Sequence, residues 1–243
     1  MPASSNFQQA IREAQSSSLV GPNVINKALP YVGGGMLLTA VGTLSGLSII
    51  TSNPSLFSGL ALIAMIAELV LFFIASSAAN NANNAKALPL LTAFSLLTGF
   101  TLSGIVYYAN YVAGLGAIGT ALFATGSTFL VASFAGSRMS ENVGESLSKA
   151  VGLGLLGLII AMVFQLLGRL FGFAGGSGFE LMISGFGTIL FVGMSFVDFY
   201  TMPRRYRDDQ YLAGALGMYL TYINLFVFIL RFIIALQGGG RRD

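Results

Sequence analysis

The chain contains no cysteine, no histidine and no tryptophan. Without cysteine there is no disulfide, thiolate zinc site, redox dithiol or thiol nucleophile. Without histidine there is no imidazole base, metal ligand or pH switch, so any group titrating near neutral pH has to be a carboxylate. Charge is scarce too. Lysine and arginine number 12 and aspartate and glutamate 9, together 9% of 243 residues, where a soluble chain carries about 25%. What fills the sequence instead is apolar: 55% hydrophobic residues, with 31 glycines, 20 phenylalanines and 9 methionines. These proportions exclude an ordinary soluble domain and point to an integral membrane protein. The net charge of +3 needs no nucleic-acid partner to explain it.

A membrane-crossing helix needs about 20 predominantly apolar residues. No charge falls between Lys27 and Glu68, which leaves room for two crossings with a turn at Thr51-Ser52-Asn53-Pro54. The Asn-rich stretch from Asn80 to Asn84 reads as a loop, as does the charged stretch from Arg138 to Lys149. Spans are expected at about 28–50, 54–79, 87–108, 115–137, 150–171, 179–201 and 212–236, an all-α seven-helix bundle. Residues 1–27 form a polar N-terminal segment with a weak amphipathic helix around Phe7 to Ala14, and 237–243 a short tail. Lysine and arginine bias the loops on the N-terminal side (Lys27, Lys86, Arg138, Lys149, Arg204, Arg205, Arg207), so the N-terminus is expected in the cytoplasm and the C-terminus outside. The small residues Gly42 and Gly46 in helix one, and Gly152, Gly154 and Gly157 in helix five, suit close packing of helices in lipid.

Several patterns resemble catalytic motifs without their context. Gly152 to Gly157 spells GxGxxG, but inside a span with no preceding strand. Gly175-Gly176-Ser177-Gly178 resembles a serine-protease loop, yet no histidine can activate the serine. An aspartyl protease needs two aspartates sharing a site, and the spans hold only Asp198. A retinal protein needs a lysine in helix seven, which has none. No enzyme activity, firm metal site or resident cofactor is expected; a transient Ca2+ is the most that the carboxylates suggest.

Charges inside spans cost roughly 2.5–3.5 kcal/mol at mid-bilayer, and those retained usually mark a pathway or a structural pair. Glu68 lies near the middle of helix two and needs a hydrogen-bond partner or a cation. Asp198 lies close to the cytoplasmic end of helix six, where a loop arginine could pair with it. Arg169 and Arg231, near the outer ends of helices five and seven, read most simply as side chains that snorkel to the interface.

At this point the residues become recognisable. Leu97-Thr98-Gly99-Phe100-Thr101-Leu102-Ser103-Gly104-Ile105 resembles the LTGxxLSxI signature of the transmembrane Bax inhibitor motif family. Ala67-Glu68-Leu69, Gly126-Ser127-Thr128-Phe129 and Phe196-Val197-Asp198 follow the family pattern in order. Tyr219-Leu220-Thr221-Tyr222-Ile223-Asn224-Leu225-Phe226, with Leu230-Arg231-Phe232, resembles its closing YLDxINLFxxLLR helix. The resemblance runs over about residues 28–236 and makes Tyr219, Asn224, Arg231 and Gly99 motif or structural residues.

The resemblance implies a cytoprotective membrane protein, in bacteria a pH-sensitive calcium leak. Family members close that leak with two proton-sharing aspartates on helices six and seven, latched to an arginine at the end of helix two. Here the helix-seven aspartate position is Thr221, and Ala78-Ala79-Asn80-Asn81 holds no arginine. Asp198, Glu68 and Thr221 remain the ion-pathway or pH-sensing candidates. A bacterial branch similar in lacking that aspartate modulates a membrane-anchored AAA protease, so such a protease, or a larger membrane complex, is the alternative partner beside the lipid bilayer. A prokaryotic inner membrane, or an organelle membrane derived from one, is the expected location.

Overall fold

The computed structural model describes residues 19–172 and 177–239. The expected surface helix at Phe7 to Ala14, the tail residues Arg241 and Arg242, and the side chains of Arg169 and Ser177 lie outside the described residues. Seven helices follow one another: α1 (Val24–Ser52), α2 (Pro54–Asn80), α3 (Asn84–Ala113), α4 (Leu115–Gly136), α5 (Glu141–Leu170), α6 (Ser177–Arg205) and α7 (Tyr211–Gly239). All seven are long and apolar enough to cross a bilayer, and no strand occurs among the described residues.

The breaks between helices are short because single residues make them. Asn53 alone separates α1 from α2; its Oδ1 accepts from the Leu56 N–H at 3.0 Å, and Pro54 opens the new helix without losing a backbone bond. Gly114 alone separates α3 from α4, with φ at 75°, where a side chain would be strained.

Helix α5 corrects the expected boundaries. It starts at Glu141, nine residues before the expected 150, so most of the charged stretch read as a loop is helical. Glu141 sits in the first turn, where the helix dipole favours an acid, and Glu145 pairs with Lys149 one turn further at 3.4 Å. Similarly, α1 begins at Val24, inside the segment read as a polar arm, and α6 continues through Pro203 to Arg205. Charge marks where these helices leave hydrocarbon, not where they stop.

Helix α7 occupies the middle, packing against α6, α1, α4, α3 and α2. The principal core gathers on it: Met218, Tyr222, Leu225 and Leu230 meet Val32 of α1, Ala121 of α4 and Phe199 of α6. Around this helix, α1 and α3 form the tightest pair. A Cβ at Gly42 would meet the Leu96 carbonyl oxygen, and one at Gly99 the Thr39 carbonyl oxygen. That approach lets Thr43 Oγ1 donate to Gly99 O at 3.1 Å across the interface. In lipid no hydrophobic force drives helices together, so contact distance and such bonds decide the packing. The α5 glycines differ from expectation: Gly154 meets Leu190 of α6, but Gly152 and Gly157 face open space.

The polar loops gather at the end of the bundle where α1 begins. The Val20 and Gly21 N–H groups donate to Pro203 O at 2.9 and 3.0 Å. Asn23 N and Nδ2 donate to the two Asp208 carboxyl oxygens at 2.9 and 3.1 Å, and Lys27 Nζ lies 3.8 Å from the same carboxylate. Gln210 Nε2 donates to Asn80 O at 2.6 Å, and Asn84 Nδ2 to Asp209 O at 2.9 Å. In this loop the Arg207 guanidinium, hydrogen-bonded to Asp209, holds that carboxyl below the usual range.

The packing predicts opposite outcomes for glycines that look alike in sequence. Gly42→Ala and Gly99→Ala should each destabilise the detergent-solubilised protein by about 1–3 kcal/mol, the usual cost of overpacking. Gly152→Ala and Gly157→Ala should leave its melting temperature unchanged or slightly raised, as chain-stiffening substitutions in open helix do.

Candidate functional site

Three polar clusters interrupt the apolar interior, and α7 contributes to each. The first surrounds Glu68. Thr98 Oγ1 donates to Glu68 Oε1 at 2.7 Å and Thr101 Oγ1 to Oε2 at 3.0 Å, so both carboxyl oxygens are served from α3. The LTGxxLS segment thus has a local purpose here: its threonines hold Glu68, and its glycine, Gly99, lets α1 approach. One turn away, Tyr219 and Thr39 share a hydrogen bond of 2.6 Å. Thr39 Oγ1 also lies 2.9 Å from Gly35 O and 3.1 Å from Ser95 O. Ser95, Thr98 and Glu68 all lie near the Tyr219 hydroxyl, so four helices meet here, with Tyr219, Thr39, Ser95 and Thr98 buried and Glu68 half-buried.

The second cluster is Asp198, seven residues inside the end of α6 and only 7% exposed. Among the described residues no loop arginine bonds to it. Arg204 turns back, donating to Tyr200 O at 2.7 Å with its guanidinium carbon 4.0 Å from the Tyr200 ring centroid. The Thr221 hydroxyl faces the carboxyl from α7, and the Tyr222 hydroxyl and Ser195 stand beside it. Thr221 Oγ1 lies 3.3 Å from Gly217 O, and Ser195 Oγ donates to Phe191 O at 2.8 Å. Asp198 Oδ2 and the Tyr222 hydroxyl are left buried without a hydrogen-bond partner among the described residues. Phe129 and Phe199 close the space around them, with Phe129 packing edge-on to Tyr222 at 5.0 Å. No hydrogen bond or ion pair joins Asp198 to Glu68 among the described residues; they occupy separate clusters reached from different positions on α7.

The third cluster corrects the snorkelling expectation for Arg231. Its Nε and Nη2 both reach Glu180 Oε1 at 2.8 Å, and the side chain is 17% exposed. Gln165 Nε2 donates to Glu180 Oε2 at 2.5 Å, and Arg231 Nη2 reaches Gln165 Oε1 at 3.4 Å. Residues from α5, α6 and α7 are joined in this way near the opposite end of the bundle. Asn224 makes no such link: its Nδ2 donates to Leu220 O at 2.8 Å within its own helix. At the end of α2, Asn80 Nδ2 bonds back to Ser76 O at 2.8 Å, so no charged latch is present there.

Glu180, Gln165, Thr39 and Tyr222 were not singled out from sequence. Glu180 lies at a helix start, where an acid reads as interfacial, and the other three are uncharged types common in any span. An arginine about two turns inside the end of α7 was the available signal that an acid had to face it.

No set of three or more His, Cys, Asp or Glu side chains is placed to hold a metal among the described residues. The clusters are therefore a hydroxyl-bound glutamate, an isolated aspartate and an ion pair, and Glu68, Asp198 and Arg231 lie on the motif segments. Residues 21–238 match the family model described as inhibitor of apoptosis-promoting Bax1. The chain belongs to this Bax inhibitor family. Relatives reach across most of it: a membrane protein of Streptococcus pyogenes serotype M1, itself uncharacterised, is 32% identical over 76% of this chain and 77% of its own length. An uncharacterised protein of Borreliella burgdorferi is 30% identical over 81% and 80%. The protein named Bax inhibitor 1 in Schizosaccharomyces pombe is 35% identical over 60 residues, 25% of this chain and 23% of its own.

The Tyr219–Thr39 bond ties the central helix to α1. Removing either hydroxyl should cost about 0.5–1.5 kcal/mol. A double-mutant cycle with Tyr219→Phe and Thr39→Val should show a positive coupling of about the same size; additive losses would mean that the two hydroxyls act separately.

Proposed function

We propose that this protein is a non-enzymatic cation leak of a prokaryotic inner membrane, or of an organelle membrane derived from one, with Asp198 as the pH-sensing group. One observation carries the reading: Asp198 Oδ2 is buried with no partner, beside the equally unpartnered Tyr222 hydroxyl. An ionised carboxylate cannot stay so placed without a cation or water to compensate it. The neutral acid fits a closed, dry arrangement, while the charged form draws in water and a cation between α6 and α7. The groups facing Asp198 are Thr221 and Tyr222 from α7 and Ser195 from its own helix; no lysine, arginine or second carboxylate bonds to it among the described residues. One carboxyl therefore titrates alone, without the two-step behaviour of a shared pair. Glu68, held by two hydroxyls, is a second cation-attracting group, on α2, and Ca2+ is the natural cation for an oxygen-only lining. The orientation with the N-terminus in the cytoplasm belongs to the same proposal and rests on the lysine and arginine bias of the loops.

A second reading has its own observation. The Val20 and Gly21 N–H groups hang on Pro203 O, and Asn23 and Lys27 grip Asp208. A partner that grips the N-terminal segment, such as a membrane-anchored AAA protease, would pull directly on the end of α6. In that case the protein modulates proteostasis and conducts nothing, and the partner should co-purify in mild detergent.

Calcium uptake into proteoliposomes separates the two. Deprotonation opens the leak, so flux should rise as pH rises, following one proton. Asp198→Asn, a fixed neutral side chain of the same shape, should lower the high-pH flux at least to its low-pH level and flatten the profile. A pH profile unchanged by Asp198→Asn overturns the sensing role, and absence of flux from every protein leaves the partner reading.

A further inference from the structure

The Gln165–Glu180–Arg231 cluster is one wall of something larger. Helix α5 makes its helix packing with α6 and stands away from α3 and α7. The gap left is a cavity of about 820 Å3, lined by Ile105 and Tyr108 of α3, Met162 and Val163 of α5, and Ile234 of α7, together with the polar cluster. Its size falls in the range of about 300–1,000 Å3 typical of small-molecule sites, and its makeup is theirs: apolar walls with a few convergent polar groups.

The lining is ordered along the bundle axis. Gln165 and Glu180 sit toward the end of the bundle where α5 ends and α6 begins, with Arg231 reaching both, while Ile159 lies deeper on α5. At 1.5 Å per residue, the six residues from Ile159 to Gln165 put the apolar floor about 9 Å inward from the polar rim. Arg231 spends Nε and Nη2 on Glu180 and Gln165, and its Nη1 bonds none of the described residues. A guanidinium has five N–H donors, so this one has donors left for an oxygen in the cavity. The cavity is thus amphipathic in the sense of a lipid molecule, with a cationic donor at one end and hydrocarbon below it. The α5 face around it, including Leu156, Ile160 and Phe164, is exposed and apolar, so entry is sideways from a bilayer.

We propose that this cavity binds an acyl chain bearing an anionic oxygen headgroup, with the headgroup on Arg231 and the first part of the chain between α3 and α5. Free fatty acid and anionic phosphoglyceride share that chemistry. The site is independent of the leak proposed above: it lies on α5 and the far half of α7, and Asp198 is not part of it. An occupant would bridge α5 to α3 and α7, which otherwise have little hold on it.

The absence of tryptophan makes the test free of background. Tyr108→Trp places one indole in the cavity wall, and Phe123→Trp places one on the outer face of α4, 77% exposed, counted from the same end of the bundle. Each protein is reconstituted in phosphatidylcholine vesicles and titrated with brominated stearic acid or with brominated phosphatidylglycerol. Quenching of the Tyr108→Trp protein is expected to saturate at a mole fraction roughly tenfold below that needed for Phe123→Trp, as a site about 1.4 kcal/mol better than bulk lipid gives. The probe that saturates first identifies the source of the chain. Val163→Phe fills the cavity from the exposed side of α5 and should remove the difference without disturbing the fold, whereas Arg231→Gln should remove the preference for anionic headgroups. Identical quenching curves for both tryptophans with both probes would mean ordinary annular lipid and would overturn the proposal, as would a preference untouched by Val163→Phe.

Discussion

A polar side chain on a central membrane helix has to find its partner inside the bundle, and α7 carries such residues along most of its length. Tyr219 bonds to Thr39 of α1, Thr221 and Tyr222 face Asp198 of α6, Asn224 bonds to its own backbone, and Arg231 takes Glu180 of α6. The matches across helices fix the rotation of α7 against α1 and, at two levels, against α6. Because hydrocarbon offers no solvent to a misplaced hydroxyl or guanidinium, these matches are expensive to break and specify one arrangement. The close α1–α3 pair at Gly42 and Gly99 serves the same end, since it sets the depth at which Thr39 meets Tyr219 and Ser95.

Within that scheme the Asp198 cluster is the exception. Tyr219 and Arg231 have partners on neighbouring helices; here two buried oxygens have none among the described residues. A bundle that satisfies Glu68 with two hydroxyls and Arg231 with a carboxylate has the means to satisfy Asp198, yet its Oδ2 is left without a partner among the described residues. Unmatched polarity in an otherwise matched interior is where a protein of this kind can respond to a proton or an ion, because the alternative state has something to gain there.

Much of this was legible in the sequence. The helix count, the turns at Asn53 and Gly114 and the family followed from uncharged run lengths and from motif segments, which depend on local composition. Asp198 and Glu68 stood out because an acid in a span is rare. What was not legible is who faces whom. Nothing in the sequence tells that Glu68 meets Thr98 and Thr101 rather than Asp198, or that Arg231 meets Glu180 rather than the interface. Those pairings depend on helix rotation, which is set by glycine contacts such as Gly99 against Thr39. The start of α5 was misread for a simpler reason: a helix can continue into water on charge pairs such as Glu145–Lys149, and hydropathy alone cannot see it.

The account stands on a single carboxyl changing state as the bundle opens. Infrared difference spectra of the reconstituted protein, recorded through a pH series beside cation flux on the same vesicles, test this most directly. The account predicts a protonated-carboxyl band that is missing in Asp198→Asn and that fades in step with rising flux in the native protein. Flux that rises while that band stays constant would contradict it.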